Sequence, residues 1–172
     1  MCKRRSLKVP AKGVRPTRGM IREAVFNILG DRIVDAEVLD IFAGSGALGI
    51  EALSRGAKHC TFIEKSARVL RANIASLSLK EQTTVLAGDF RPALRRLKGR
   101  NFDVVFADPP YKMDYVQPTI ELIVRHTLLA RDGMIVVEHS SIEDLSLPDE
   151  LTAIKKKQYG TTSISYIVHR IQ

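Results

Sequence analysis

The chain has 172 residues, with 27 Lys and Arg against 19 Asp and Glu, a formal net charge of +8, 45% hydrophobic and 27% charged residues. That length suits one domain with a sizeable core, and the balance excludes a disordered or fibrous chain. No apolar run approaches the roughly 20 residues of a membrane span or the core of a signal peptide, and Cys2 and Cys60 form neither a metal spacing nor a disulfide framework, so a reduced, cytoplasmic protein without a metal is expected.

The charge is unevenly placed. Lys3, Arg4, Arg5, Lys8, Lys12, Arg15, Arg18 and Arg22 precede any acid, and the rest of the chain balances, 19 acids against as many bases. Residues 1–16 carry no clear period and are broken by Pro10, Gly13 and Pro16. They read as a basic arm, with a short edge strand expected at residues 7–9. A neutral body with a cationic leading segment is the footprint of a phosphate-backbone binder; a solvated tail has the same composition.

From Thr17 the pattern changes. Ile21, Ala24, Val25, Ile28 and Leu29 recur at helical spacing, with Thr17 as N-cap and Gly30 as stop. Arg18 and Arg22 fall off that stripe and are expected to face outwards beside the arm. A strand at 38–42 then runs into Ala43-Gly44-Ser45-Gly46-Ala47-Leu48-Gly49 and a helix to about residue 55. Gly44, Gly46 and Gly49 spell the dinucleotide-type fingerprint between strand and helix. A second strand, 59–63, closes on Glu64, where a carboxylate is placed to accept from ribose hydroxyls. A helix over 67–77 and a third strand, 83–87, lead to Gly88-Asp89-Phe90. Next comes a short helix over 92–97, with Arg91, Arg95, Arg96, Lys98 and Arg100 around it.

The fourth strand, 102–107, is a short apolar run that stops in Asp108-Pro109-Pro110-Tyr111. The prolines have no N–H, so their carbonyls remain as acceptors beside a carboxylate and an aromatic face. That set suits a flat group with an NH2, such as the exocyclic amine of a nucleobase. A helix over 115–127, a fifth strand over 133–138 and two alternating segments, 153–158 and 162–169, complete the chain. Strands separated by helices imply a parallel, doubly wound sheet, and the final hairpin implies an antiparallel member at one edge. The chain reads as one α/β domain over residues 17–172 behind the arm.

Asp40 lies inside the first strand, where a pyrophosphate site gains nothing from negative charge. S-adenosylmethionine has a cationic end and no phosphate, so Asp40 near its ammonium, the glycine backbone along the methionine part, Glu64 on the ribose and Asp89 on the adenine amine form a consistent cradle. The alternative reading of Asp40 alone is a capping carboxylate. Phe42, Ala43 and Phe90 would wall this site.

Three segments carry a resemblance: Asp40-Ile-Phe-Ala-Gly-Ser-Gly-Ala-Leu-Gly-Ile-Glu51, Asp108-Pro-Pro-Tyr111, and Arg15-Pro-Thr-Arg-Gly-Met-Ile-Arg-Glu-Ala-Val-Phe-Asn27. Together they resemble the RsmD-type methyltransferases, which methylate the guanine N2 amine in bacterial 16S ribosomal RNA. The resemblance spans about residues 7–169. Family members usually open with an Arg-Ile-Ile-Gly-Gly-like strand, for which residues 1–5 leave almost no room. It implies a Rossmann-like class I methyltransferase fold, S-adenosylmethionine as cofactor, and small-subunit ribosomal RNA as substrate, free or within an assembling particle. Asp108, Pro109, Pro110 and Tyr111 would hold the target amine. The arm, Arg18, Arg22, Arg95 and Arg96 would hold RNA phosphates, and a monomer is expected. An adenine-N6 or cytosine-N4 methyltransferase would share Asp-Pro-Pro-Tyr. A nicotinamide dehydrogenase would share the glycines, and a non-catalytic RNA-binding protein the arm.

Overall fold

The computed structural model describes residues 17–111 and 113–171. Lys3, Arg4, Arg5, Lys8, Lys12 and Arg15, the strand expected at residues 7–9, and Cys2 lie outside the described residues. The first helix, α1 (Arg18–Leu29), starts where Thr17 accepts a hydrogen bond from the Met20 N–H at 3.2 Å and ends at Gly30, whose φ is +53°. Then follow β1 (Glu37–Ile41), α2 (Ala47–Ser54), β2 (His59–Glu64), α3 (Arg68–Ser76), β3 (Thr83–Ala87), α4 (Phe90–Arg96), β4 (Phe102–Ala107) and α5 (Val116–Arg125). Three further strands close the chain: β5 (Leu129–Ser140), β6 (Leu151–Tyr159) and β7 (Thr162–His169).

The seven strands form one sheet in the order β3-β2-β1-β4-β5-β7-β6. The first five are parallel, and β7 enters between β5 and β6, antiparallel to both. The antiparallel member is therefore the inner strand of the final hairpin. The edge strand β6 runs in the sense of the parallel strands.

Alternation along the buried strands builds two cores. Val38, Cys60, Phe62, Val104, Phe106, Met134, Val136, Ile164 and Tyr166 face α1, α2 and α3. Leu39, Ile41, Ile63, Val105, Ile135, Val137 and Ile167 face α4 and α5. Helices on both faces leave the carboxyl ends of the parallel strands as an open edge, split where the order reverses between β1 and β4; ligands of doubly wound sheets bind at that edge.

Two element boundaries differ from the sequence reading for local reasons. Helix α4 starts at Phe90, ahead of Pro92, because Asp89 caps it by accepting from the Arg91 N–H at 2.9 Å, and proline is tolerated in a first turn. Strand β5 starts four residues before Gly133. Its ladder with β4 shifts register between Phe102 and Val104, so the charged residues Arg131 and Asp132 are carried in a strand that period-two patterning does not reveal. A Cβ at Gly133 would lie 2.9 Å from both the Ala130 and Phe102 carbonyl oxygens, so only glycine fits this irregularity.

Candidate functional site

The glycine turn sits between β1 and α2. Phe42, Gly44 and Gly46 have φ of +62°, +58° and +86°, so the chain makes a tight left-handed passage over the β1 tip. The side of Gly44 where a Cβ would project is open, whereas Cβ atoms at Gly46 and Gly49 would meet Leu70 at 2.5 Å and Phe62 at 2.3 Å. The first glycine thus leaves room for a ligand, and the others let the turn and α2 press onto α3 and the sheet.

Glu64, at the end of β2, accepts from the Gly44 N–H at 2.7 Å through Oε2 and from the Ser66 N–H at 3.0 Å through Oε1. It holds the turn against the β2 tip and lines the open cleft beside it. Asp40 is only 2% exposed, and its Oδ2 accepts from the Gly49 N–H at 2.9 Å, in the first turn of α2. Of the two readings of this side chain, the cap is the contact the structure records. Burial pushes the Asp40 carboxyl up to about 7; the Gly49 hydrogen bond opposes the rise, and Asp108 and Glu64 add to it.

A cleft of about 500 Å³ runs along the strand tips from Glu64 and Gly88-Asp89 to Asp108-Pro109-Pro110-Tyr111. Its floor is aromatic. The Phe42 and Phe90 rings lie 4.9 Å apart, and Tyr115 stacks on Phe42 at 6.0 Å with an interplanar angle of 10°. Arg91 covers the Phe90 and Tyr115 rings at 4.5 and 4.9 Å. Asp89 faces the cleft, but two of its contacts are local, to the Arg91 backbone and guanidinium.

Asp108 stands where this cleft meets a second cavity of about 240 Å³ under α1, and Arg18 and Glu138 also line both spaces. Val137 pairs with Ala107 across β5 and β4, so Asp108, the first residue past β4, lies beside Glu138, which is still carried in β5. Burial raises the Asp108 carboxyl, and Arg18 opposes the rise. Burial and the Asp108 charge push Glu138 up to about 7, again against Arg18. Tyr111 is 55% exposed on the cleft rim, and its hydroxyl is hydrogen-bonded to Thr162 Oγ1.

The structure therefore gathers Phe42, Gly44, Glu64, Asp89, Phe90 and Asp108–Tyr111 around one cleft, and puts Asp40 and Gly46 beneath it. Arg18 lines that cleft as well. Arg22 approaches Glu51 at 3.9 Å, and Glu51 also binds Arg55 at 2.7 Å. Arg95 and Arg96 occupy the last turn of α4, at the opposite end of the sheet from the strand tips, and Arg100 reaches Glu37 at the start of β1. Tyr115 and Glu138 were missed by sequence reasoning. Tyr115 carries no local signal, but Glu138 has one: a single acid ending an apolar strand, as Asp108 does. Among the described residues no group of His, Cys, Asp and Glu is placed to hold a metal ion, and no helix is long and apolar enough to cross a membrane.

The sequence model of a family described as conserved hypothetical protein 95 matches residues 1–168. Ribosomal RNA small subunit methyltransferase D of Escherichia coli K12 is 41% identical over 142 residues, covering 81% of this chain and 71% of that protein. The Haemophilus influenzae protein of the same name is 36% identical over 167 residues, covering 92% and 86%. The chain belongs to this family, the RsmD-type methyltransferases. Among solved structures, an Escherichia coli chain bearing a methyltransferase name superposes with a TM-score of 0.82 at 34% identity, covering 98% of this chain and 93% of that one. A methyltransferase-type chain solved with SAH, 14% identical with a TM-score of 0.66, shares the fold alone. The fold is the Rossmann-like class I methyltransferase fold expected from the motifs.

Proposed function

We propose that this chain transfers a methyl group from S-adenosylmethionine to the exocyclic N2 amine of a guanine in small-subunit ribosomal RNA. The observation that carries the reading is the single cleft that joins the glycine turn to Asp108-Pro-Pro-Tyr111. Family membership and two relatives named ribosomal RNA small subunit methyltransferase D support the RNA substrate.

The residues present suit this cofactor. The space beside Gly44 is free, the tips of β1, β2, β3 and β4 all present or precede a carboxylate, and the aromatic floor suits an adenine. A pyrophosphate would meet those carboxylates as repulsion, which disfavours a nicotinamide. The bound cofactor supplies an electrophilic methyl on a cationic sulfur. Glu64 would accept from its ribose hydroxyls while still holding Gly44, and Phe42, Phe90 and Tyr115 would wall the adenine.

The chemistry left to the protein is positioning. The N2 lone pair is delocalised into the guanine ring and is a weak nucleophile. Asp108 and the Pro109 carbonyl, as acceptors for its two hydrogens, would favour a tetrahedral nitrogen with its lone pair aimed at the methyl. Such orientation is worth up to roughly 7–11 kcal/mol of barrier. The N–C bond forms as the S–C bond breaks, S-adenosylhomocysteine leaves, and one amine proton passes to water. Tyr111 would stack on the incoming base after releasing Thr162. The cations of the arm would hold phosphates, with Arg22 next to them. Arg95 and Arg96 would meet only RNA that wraps to the far end of the sheet.

Transfer of labelled methyl into ribosomal RNA and partly assembled small subunits from a strain lacking the modification, with nucleoside analysis, tests the reading. Label in N2-methylguanosine is expected. Label in N6-methyladenosine or N4-methylcytidine would replace guanine with another base, and no transfer at all would favour a binding protein.

A further inference from the structure

The smaller cavity has Asp108 at one edge. It lies between α1 and the sheet, walled by Ile21, Val25, Leu48, Val136 and Ile164, with Ser45 at the glycine turn. Its polar groups are concentrated where it opens into the cofactor cleft: Asp108, Glu138 and Arg18, the three residues shared by both spaces. At about 240 Å³ it is smaller than the roughly 300–1,000 Å³ of pockets that take whole small ligands. Apolar walls with hydrogen-bonding groups at one edge suit a single inserted base.

Those groups are two acceptors and one donor. The Watson–Crick edge of guanine presents the complement: N2–H and N1–H as donors, O6 as acceptor. Adenine presents one donor and the N1 lone pair, and cytosine one donor and two acceptors, so each would set a lone pair against a carboxylate. We propose that the cavity under α1 receives the flipped guanine, with Asp108 accepting from N2–H, Glu138 from N1–H, and Arg18 donating to O6. Glu138 and Arg18 are then the residues that choose guanine, while Asp108 presents the amine. This inference rests on the guanine-N2 reading and adds to it how the base is read.

The contact to N1–H is strongest when Glu138 is ionised. The charged groups that face it are Asp108 from the β4 tip and Arg18 from α1. Arg22 lines the same cavity near Glu51, and Asp114 and Glu143 share with Glu138 a third, smaller hollow behind Pro109. With its carboxyl pushed up to about 7, Glu138 gains a proton as pH falls through neutrality and loses the negative charge that strengthens its acceptance from N1–H.

The test compares guanine with 2-aminopurine, which keeps the N2 amine but has a bare N1 and no O6, placed at the methylated position of an RNA acceptor. The wild-type product is identified first by nucleoside analysis. Wild-type protein is expected to favour guanine strongly. Glu138→Gln, whose amide donates to a bare N1, is expected to narrow the ratio of the two kcat/KM values by on the order of tenfold and to remove the acid limb near neutral pH. Arg18→Met is expected to depress guanine more than 2-aminopurine, because only guanine offers O6. S-adenosylhomocysteine affinity kept within a few-fold by both variants checks that the cofactor side is intact, and unfolding of either leaves the other to decide. N2-methylguanosine from the wild type with unchanged discrimination in the variants would overturn the base-reading assignment alone. A wild-type product other than N2-methylguanosine would overturn the functional reading and this one together.

Discussion

Asp108 and Glu138 are neighbouring carboxylates with unequal surroundings, and both face the same guanidinium. Their pairing comes from the β4–β5 register, so either can be altered without disturbing the glycine turn. Asp108→Ala removes the proposed acceptor for the target amine and leaves Gly44, Glu64 and the aromatic floor in place. Turnover should fall by at least two orders of magnitude while calorimetric affinity for S-adenosylhomocysteine stays within a few-fold. A large loss of that affinity would move Asp108 from the amine to the cofactor. At this scale the sequence was informative for Asp108 through Tyr111, because two prolines after a buried strand have few other uses. It was poor for Arg18 and Glu138, whose role depends on what stands opposite them.

Helix α2 is held at Gly49 in its first turn, by the hydrogen bond from its N–H to Asp40 and by its close approach to β2. A Cβ at Gly49 would lie 2.3 Å from the Phe62 ring and 2.6 Å from Cys60 Sγ, so Gly49→Ala must push the helix off the sheet. A loss of about 1–3 kcal/mol in chemical denaturation is expected, with weakened cofactor binding because the turn moves with the helix. Asp40 gives the same junction a pH dependence. Its folded value, pushed up to about 7, lies above the ordinary 3.8, so the native state holds the proton more tightly than the unfolded chain. Stability from this group is full below about pH 4 and is lost as pH rises through 7. Asp40→Asn keeps an acceptor for the Gly49 N–H and removes the buried charge. It should therefore stabilise the cofactor-free protein at pH 8, by at most about 4 kcal/mol at about 1.4 kcal/mol per pH unit separating the two values, and do little at pH 4. Equal effects at both pH values would mean that Asp40 is not titrating there.

Across the whole molecule, charge and chemistry are separated. The strand tips are lined by acids, whereas the net +8 belongs to the first 22 residues, six of whose cations precede the described part of the chain. RNA binding and methyl transfer should then respond differently to salt. Removing residues 1–16 is expected to weaken RNA affinity and to flatten its log–log salt dependence by up to about one unit per lost cation, with S-adenosylhomocysteine affinity unchanged. An unaltered salt slope would assign the phosphate contacts to other parts of the surface.

The amino-acid sequence by itself determined the elements, the parallel doubly wound sheet, the glycine turn and the Asp-Pro-Pro-Tyr tetrapeptide at the β4 tip, because each is written in contiguous residues: hydrophobic period, caps, and residues lacking a side chain or an N–H. It also showed that an acid ends β2 and another follows β3. Only the tertiary structure decided that β7 lies inside β6, that Asp40 caps α2, that Tyr115 joins Phe42 and Phe90, and that Arg18 meets Asp108 and Glu138 across the junction of two cavities. Those facts depend on strand register and on how a helix lies against a sheet. Groups far apart in the chain acquire their electrostatics only when packing removes the water between them.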